Sequence, residues 1–228
     1  MLHRTGEFLR CPQKRYDDTD ILLSAIMEWG YDSAQGSAAL ARINKIHGLF
    51  RIPNEEHLYV LSTFVFEPIR WIDRFGWRPT TEAERLALFY FWRAVGERMD
   101  IRDIPETYQD FQHFNRQFER ARFRFAETNR DIGNATQRLF ASWFPTPLRP
   151  LVGAAIHAML DEDTRKAFGF PAPSPWFRSL VKGGLRLRAL LLRLLPLRRQ
   201  PRLRTHMHHA TYPDGHRIDA IAPTYFRE

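Results

Sequence analysis

Between Ala39 and Met99 the chain sets apolar residues at helical spacing, broken only by residues that start or stop helices. Ala41, Ile43, Ile46 and Leu49 recur at the three- and four-residue steps that put side chains on one helical face. Leu58, Leu61, Phe64 and Val65 repeat the pattern after Pro53, which suits a first helical turn. Thr81 followed by Glu84 reads as a capping box, in which each side chain satisfies the other's backbone N–H, opening a helix to about Met99. No pair of alternating strands flanks a hairpin turn. The spacing therefore predicts an all-α fold.

The same reading extends outward. Asp17 or Asp18 is expected to cap a helix over Thr19 to Trp29, and Ser33 or Ser37 to start the next. Pro68 should kink or break its helix. Pro105 is expected to open a helix carrying Phe111, Phe114, Phe118, Ala121 and Phe125 on one stripe. Asn129 or Asp131 should begin another, and Pro147 to Leu160 a further one ended by Asp161-Glu162-Asp163. With 228 residues, 44% of them hydrophobic, the chain can bury one sizeable core. The predicted domain covers residues 5–168 as a single helical bundle. Residues 169–228 then form a proline-rich linker, a basic amphipathic helix and a tail that packs back on the body.

Composition removes several function classes. The single cysteine, Cys11, excludes an internal disulfide and any Cys-based zinc or iron–sulfur site, and fits a reducing compartment. Met1 to Asp20 is polar and charged, so no leader peptide is expected, and no apolar run reaches the length of a membrane span. The expected location is the cytoplasm, peripheral on a membrane. The net charge of +8 is local: Arg165 to Pro213 holds eleven Lys or Arg and no acid, leaving residues 1–164 slightly acidic. That asymmetry argues against a nucleic-acid partner. In the basic segment, Arg178, Lys182, Arg186 and Arg193 share a helical face beside Leu180, Leu185, Leu187, Leu191, Leu194 and Leu195. This is the pattern of a helix lying on an anionic membrane surface, although Gly183 and Gly184 weaken it by about 1 kcal/mol each. A last helix docked on the core, its basic face in water, is the competing account.

No phosphate-binding glycine loop, zinc-protease helix or serine elbow is present. His206, His208 and His209 sit in a basic tail with no neighbouring carboxylate, a poor metal site. His47 stands apart, on an apolar helix with Ile43, Ile46 and Phe50 and no acid at i±4. A neutral imidazole there is either a hydrogen-bonded core residue or an iron ligand, and the residues alone leave both open.

Four stretches of the chain resemble one known family. They are KRYDDTDILL (Lys14 to Leu23), the long run from Arg42 to Arg85, FWRAVGERMDIRDIPETYQDF (Phe91 to Phe111) and YPDGHRIDAIAP (Tyr212 to Pro223). Their order of Asn-x-Ile-His, Asn-Glu, Glu-Pro and Gly-Trp-Arg-Pro is similar to the MpaB and rubber oxygenase (latex clearing protein) catalytic domain family, the MpaB-like branch in particular. The resemblance implies a globin-like helical fold enclosing a b-type haem, with His47 as the proximal iron ligand. It implies dioxygen and a small lipophilic substrate as partners, and oxidative cleavage of carbon–carbon double bonds in isoprenoid chains as the reaction. In the rubber oxygenase branch an Arg and a Thr four residues later lie on the distal side. Arg15 and Thr19 match them here, as catalytic candidates, but Asp18 stands where that branch has a distal Lys. Two alternatives stay open: a non-catalytic haem sensor or carrier, and a membrane-peripheral helical protein without cofactor.

Overall fold

The computed structural model describes residues 2–196 and 199–226. Two single turns, α1 (Leu2–Thr5) and α2 (Glu7–Arg10), lead into α3 (Pro12–Trp29), α4 (Ala34–His47), α5 (Asn54–Phe75) and α6 (Glu82–Arg98). They are followed by α7 (Tyr108–Arg122), α8 (Glu127–Ser142), α9 (Arg149–Met159), the short α10 (Glu162–Ala167) and α11 (Pro175–Leu194). No strand occurs among the described residues; three 3-10 turns, at Thr146–Leu148, Arg204–His206 and Ile218–Ala220, complete the fold. The molecule is all-α and forms one domain.

Helix starts follow local chemistry. Ser33 Oγ accepts from Gly36 N at 2.9 Å to begin α4. At α6 both halves of the capping box are made: Glu84 N donates to Thr81 Oγ1 at 3.3 Å, and Thr81 N donates to Glu84 Oε2 at 2.8 Å. α3 begins seven residues earlier than the Thr19 start that the acidic pair suggested, because Pro12 supplies the fixed φ of a first turn. Asp17 and Asp18 consequently lie inside the helix, buried. α7 starts at Tyr108 behind a Thr107 cap, past Pro105, and Phe125 falls outside it, exposed. α8 opens at Glu127, ahead of the expected Asn129. α5 runs on through Pro68 to Phe75. Pro68 sits on the exposed side, where a carbonyl left without its helical donor can meet water.

The helices pack pairwise: α3 on α4, α5 on α6 and α7, α9 on α8 and α11. Ile21 and Ile26 of α3, Leu40 of α4, Val65 and Phe66 of α5, Phe89 and Val95 of α6 and Phe111 of α7 meet in one core. Gly96 lets α6 approach α5, since a Cβ there would lie 2.4 Å from a Leu61 methyl. The C-terminal tail belongs to this body. Its turn at Arg204–His206 rests on α3, that at Ile218–Ala220 rests on α4, and Ile221 is fully buried in the core.

α11 is docked on the body along one face only. Val181, Leu185 and Ala189 turn inward, and the helix packs on α9 and α5. Leu180, Leu187, Leu191, Leu194 and Leu195 stay exposed. The expected basic stripe divides likewise: Arg178 and Lys182 are half-buried against the body, Arg186 and Arg193 lie in the open.

Candidate functional site

His47 is the last residue of α4. The chain turns over at Gly48, with Phe50 N donating to His47 O at 3.0 Å, and returns as α5 after Pro53. The short reversal brings His57 back to His47, with ring centroids 5.4 Å apart and planes tilted by 41°. Nδ1 of His47 and Nε2 of His57 are buried without a hydrogen-bond partner. Burial first, then the neighbouring His57 and Arg15, pushes the His47 pKa down from 6.5 to about 4. His57 is also lowered, by burial against the weaker opposing field of Glu56. Both imidazoles are therefore neutral at physiological pH and keep a lone pair.

Arg15 and Thr19 lie on α3, one turn apart, both half-buried. Arg15 Nη1 donates to Thr19 Oγ1, and Thr19 Oγ1 donates to the Arg15 carbonyl at 2.9 Å. The hydroxyl thus fixes the guanidinium, which also lies 5.7 Å from the Phe8 ring centroid. The charge of Arg15 acts on His47 and on Tyr225 of the tail, which places the three in one neighbourhood. Tyr225 meets Phe50 edge-on at 5.8 Å. Glu7 closes the region from α2: it is 2% exposed, one carboxylate oxygen accepts from Thr224 Oγ1, and Oε2 is buried without a partner.

Arg15 and Thr19 are bonded to each other and the Arg15 charge reaches His47, and three residues that the sequence reading passed over lie in the same region: His57, Glu7 and Tyr225. A signal for His57 exists. It and His47 are equally spaced about Ile52 at the reversal, and residues equidistant from a tight turn return towards each other. Glu7 and Tyr225 meet only through the tail fold, across more than two hundred residues.

Asp18 faces away from this region. It accepts from Lys14 Nζ at 2.7 Å and from Tyr212 OH at 2.5 Å. Lys14 further donates to the Ala222 carbonyl at 2.6 Å. Asp17 receives Thr211 N at 2.9 Å, and Asp20 receives His209 at 3.0 Å and Arg204 at 2.8 Å. The acidic face of α3 is a clasp for the tail, so the Asp that departs from the rubber oxygenase pattern is occupied structurally. His209 belongs to that clasp, and no group of three or more metal-binding side chains exists among the described residues.

The residues at His47 suit a haem iron by one observation: a neutral imidazole with a buried, unpaired ring nitrogen is a ready Lewis base. Arg15 adds a charge-assisted donor, and Phe8, Phe50 and Tyr225 add aromatic faces. A separate cleft of about 430 Å³ runs between the α2–α3 junction and α8, lined by Leu9, Cys11, Lys14 and Leu139 among others but not by Arg15 or His47.

The family model described as "ER-bound oxygenase mpaB/B'/Rubber oxygenase, catalytic domain" matches residues 3–194. The chain is 25% identical over 214 residues to ER-bound oxygenase mpaB' of Penicillium brevicompactum, an alignment covering 86% of this chain and 50% of that protein. It is 32% identical over 108 residues to ER-bound oxygenase mpaB of Penicillium roqueforti (strain FM164), covering 44% of this chain and 36% of that protein. The chain spans half the length, or less, of these relatives.

Proposed function

The chain belongs to the mpaB and rubber oxygenase catalytic-domain family, a family of oxygenases, and we propose that it is a haem b-dependent oxygenase of lipophilic, unsaturated substrates. His47 is the residue that would hold the iron, and haem b, when bound, supplies the redox chemistry by which dioxygen is activated. Everything else derives from the side chains. Burial keeps the His47 imidazole unprotonated far below neutral pH, so its lone pair is available for coordination. Arg15 presents the remaining N–H groups of its guanidinium as charge-assisted donors, and Thr19 limits the directions in which it can swing. Phe8 and Phe50, both half-buried, limit the water that reaches the region, which strengthens those donors and favours an apolar chain over a charged reactant.

The family and the aromatic surroundings favour isoprenoid-like substrates and cleavage of a carbon–carbon double bond. One dioxygen divided over the two alkene carbons gives two carbonyls, so the reaction balances without an outside reductant. The enzyme works peripherally at a membrane. The fungal relatives are named ER-bound, and no helix among the described residues is long and apolar enough to cross a bilayer.

The observation that carries this reading is the unpaired, neutral imidazole of His47. Titrating the purified protein with haemin should load about one haem per chain and give a Soret band. His47→Ala should lose it, with folding intact by circular dichroism. The loaded protein should consume oxygen with an unsaturated isoprenoid and release carbonyl products. A protein that takes up no haemin, or a His47→Ala variant with an unchanged spectrum, would overturn the haem assignment. Normal loading without oxygen uptake would overturn the oxygenase assignment.

A further inference from the structure

α11 carries two apolar faces, and only one is used by the fold. The inner face, through Val181, Leu185 and Ala189, rests on the body. On the opposite side Trp176, Leu180, Leu187, Leu190, Leu191 and Leu194 are 55% to 81% exposed. At 3.6 residues per turn these six fall within an arc of about 100°, one continuous stripe along a helix about 30 Å long. Isolated exposed leucines are ordinary; a contiguous stripe of this size marks a contact surface.

The charges beside the stripe specify the contact. Arg186 and Arg193 border it on one side and Arg188 on the other, all three exposed. α11 has no carboxylate, nor does the sequence from Arg165 to Pro213. Lys182, on the same helix, lies in the field of its cationic neighbours: desolvation, then Arg74, Arg178 and Arg186, lower its pKa. A second copy packed on the stripe would set these arginines against their own kind. A nucleic acid would meet leucine at the centre of its contact. A sheet of anionic headgroups over an acyl layer matches both parts, because arginine stems can run along apolar surface while their heads reach phosphate.

We propose that the outer face of α11 docks this protein on an anionic phospholipid bilayer, with the helix parallel to the surface. The leucines sit at the acyl boundary, and Arg186, Arg188 and Arg193 sit among the phosphates. The inner face holds the body against the helix, so the catalytic domain is carried at the surface as a unit. Haem is not required, and the surface stands whether or not the oxygenase reading does.

The test uses the full chain without haem and vesicles of phosphatidylcholine with or without phosphatidylserine. The wild type should co-sediment with the anionic vesicles and weakly with the neutral ones. High salt should reduce binding without abolishing it. Arg186→Gln with Arg193→Gln should weaken anionic binding roughly thirtyfold, from about fivefold for each basic residue. Leu187→Glu with Leu191→Glu should remove the salt-resistant part, and both positions are already in solvent, so circular dichroism should not change. Absence of anionic binding, or binding that neither double variant alters, overturns the proposal. So does a wild-type dimer in sedimentation velocity that Leu187→Glu with Leu191→Glu converts to monomer while vesicles bind nothing; the stripe would then be a contact between copies.

Discussion

Two regions of this fold bury polar side chains between helices, and they are built in opposite ways. Around Asn115 the partners are present. Asn115 and Ser62 are both fully buried; Asn115 Nδ2 donates to Ser62 Oγ at 2.8 Å, and Ser62 donates to the Tyr59 carbonyl at 2.6 Å. Arg70 donates to Asn115 Oδ1, to Glu67 and, at 3.0 Å, to Glu119 Oε1. Around His47 the partners are missing. Of seven buried side-chain atoms without a hydrogen bond among the described residues, three lie here: Glu7 Oε2, His47 Nδ1 and His57 Nε2. An unpaired buried polar atom costs folding free energy, whereas a completed network specifies how helices align. On the proposed reading, this cluster beside a cation and aromatic rings is where stability is given up for ligand binding.

The largest effect should come from the completed network. Asn115→Leu keeps the branched shape but leaves Ser62 and one Arg70 amino group without their partner, and should cost about 3 kcal/mol. Urea unfolding of the haem-free protein measures it. Haem taken up per folded chain should not change. A cost below about 1 kcal/mol would break the contrast, by showing that water substitutes freely inside the α5–α7 contact.

The histidine region should announce itself through pH. His47 has a folded pKa of about 4 against an ordinary value of 6.5. Between these values the unfolded chain binds the proton that the fold refuses, so stability is full above pH 6.5 and falls as pH drops towards 4. The ring is partly accessible, and the loss attributable to it should be about 2 kcal/mol after solvent screening. Unfolding free energies at pH 7 and pH 4.5, for haem-free wild type and His47→Phe, isolate the contribution. The variant should show the shallower dependence; equal slopes would mean that His47 is wetter than its surroundings indicate.

Much of this was legible in the sequence, for a physical reason that also marks where legibility stops. Helices announced by local chemistry, such as Ser33 before α4 and the Thr81–Glu84 box before α6, sit where their residues dictate. Arg70 pairs with Glu67, one turn away on α5, as i,i+3 spacing allows. Trp71, beside it, meets Phe75 at 4.7 Å with the ring planes tilted by 58°, yet stays exposed. Asp17 and Asp18 had the look of caps, since an acid before an apolar stretch usually is one. Their partners in the tail, Thr211 and Tyr212, lie 194 residues away, and no local rule carries information that far. The same distance hid Glu7 and Tyr225. On α11 the periodicity was plain, but an abundance of leucine on several sides does not say which leucines the body takes.

The smallest effect sharpens the comparison most. Thr19 resembles Asn115 in receiving an arginine amino group, so by hydrogen bonds alone it could be as costly to replace. The difference lies in what surrounds each. Thr19 is half-buried and its other bond is to the Arg15 carbonyl in its own helix, so Val, with the same shape, strands no remote partner. Thr19→Val should therefore change stability by less than about 1 kcal/mol. Arg15, however, would lose the stop that aims it. If Arg15 serves ligands beside His47, the haem-loaded variant should bind azide several-fold more weakly and consume oxygen more slowly, with haem content unchanged. A loss near 3 kcal/mol would move Thr19 into the class of Asn115. Unchanged azide affinity and oxygen uptake would show that the Arg15–Thr19 pair holds α3 and nothing else.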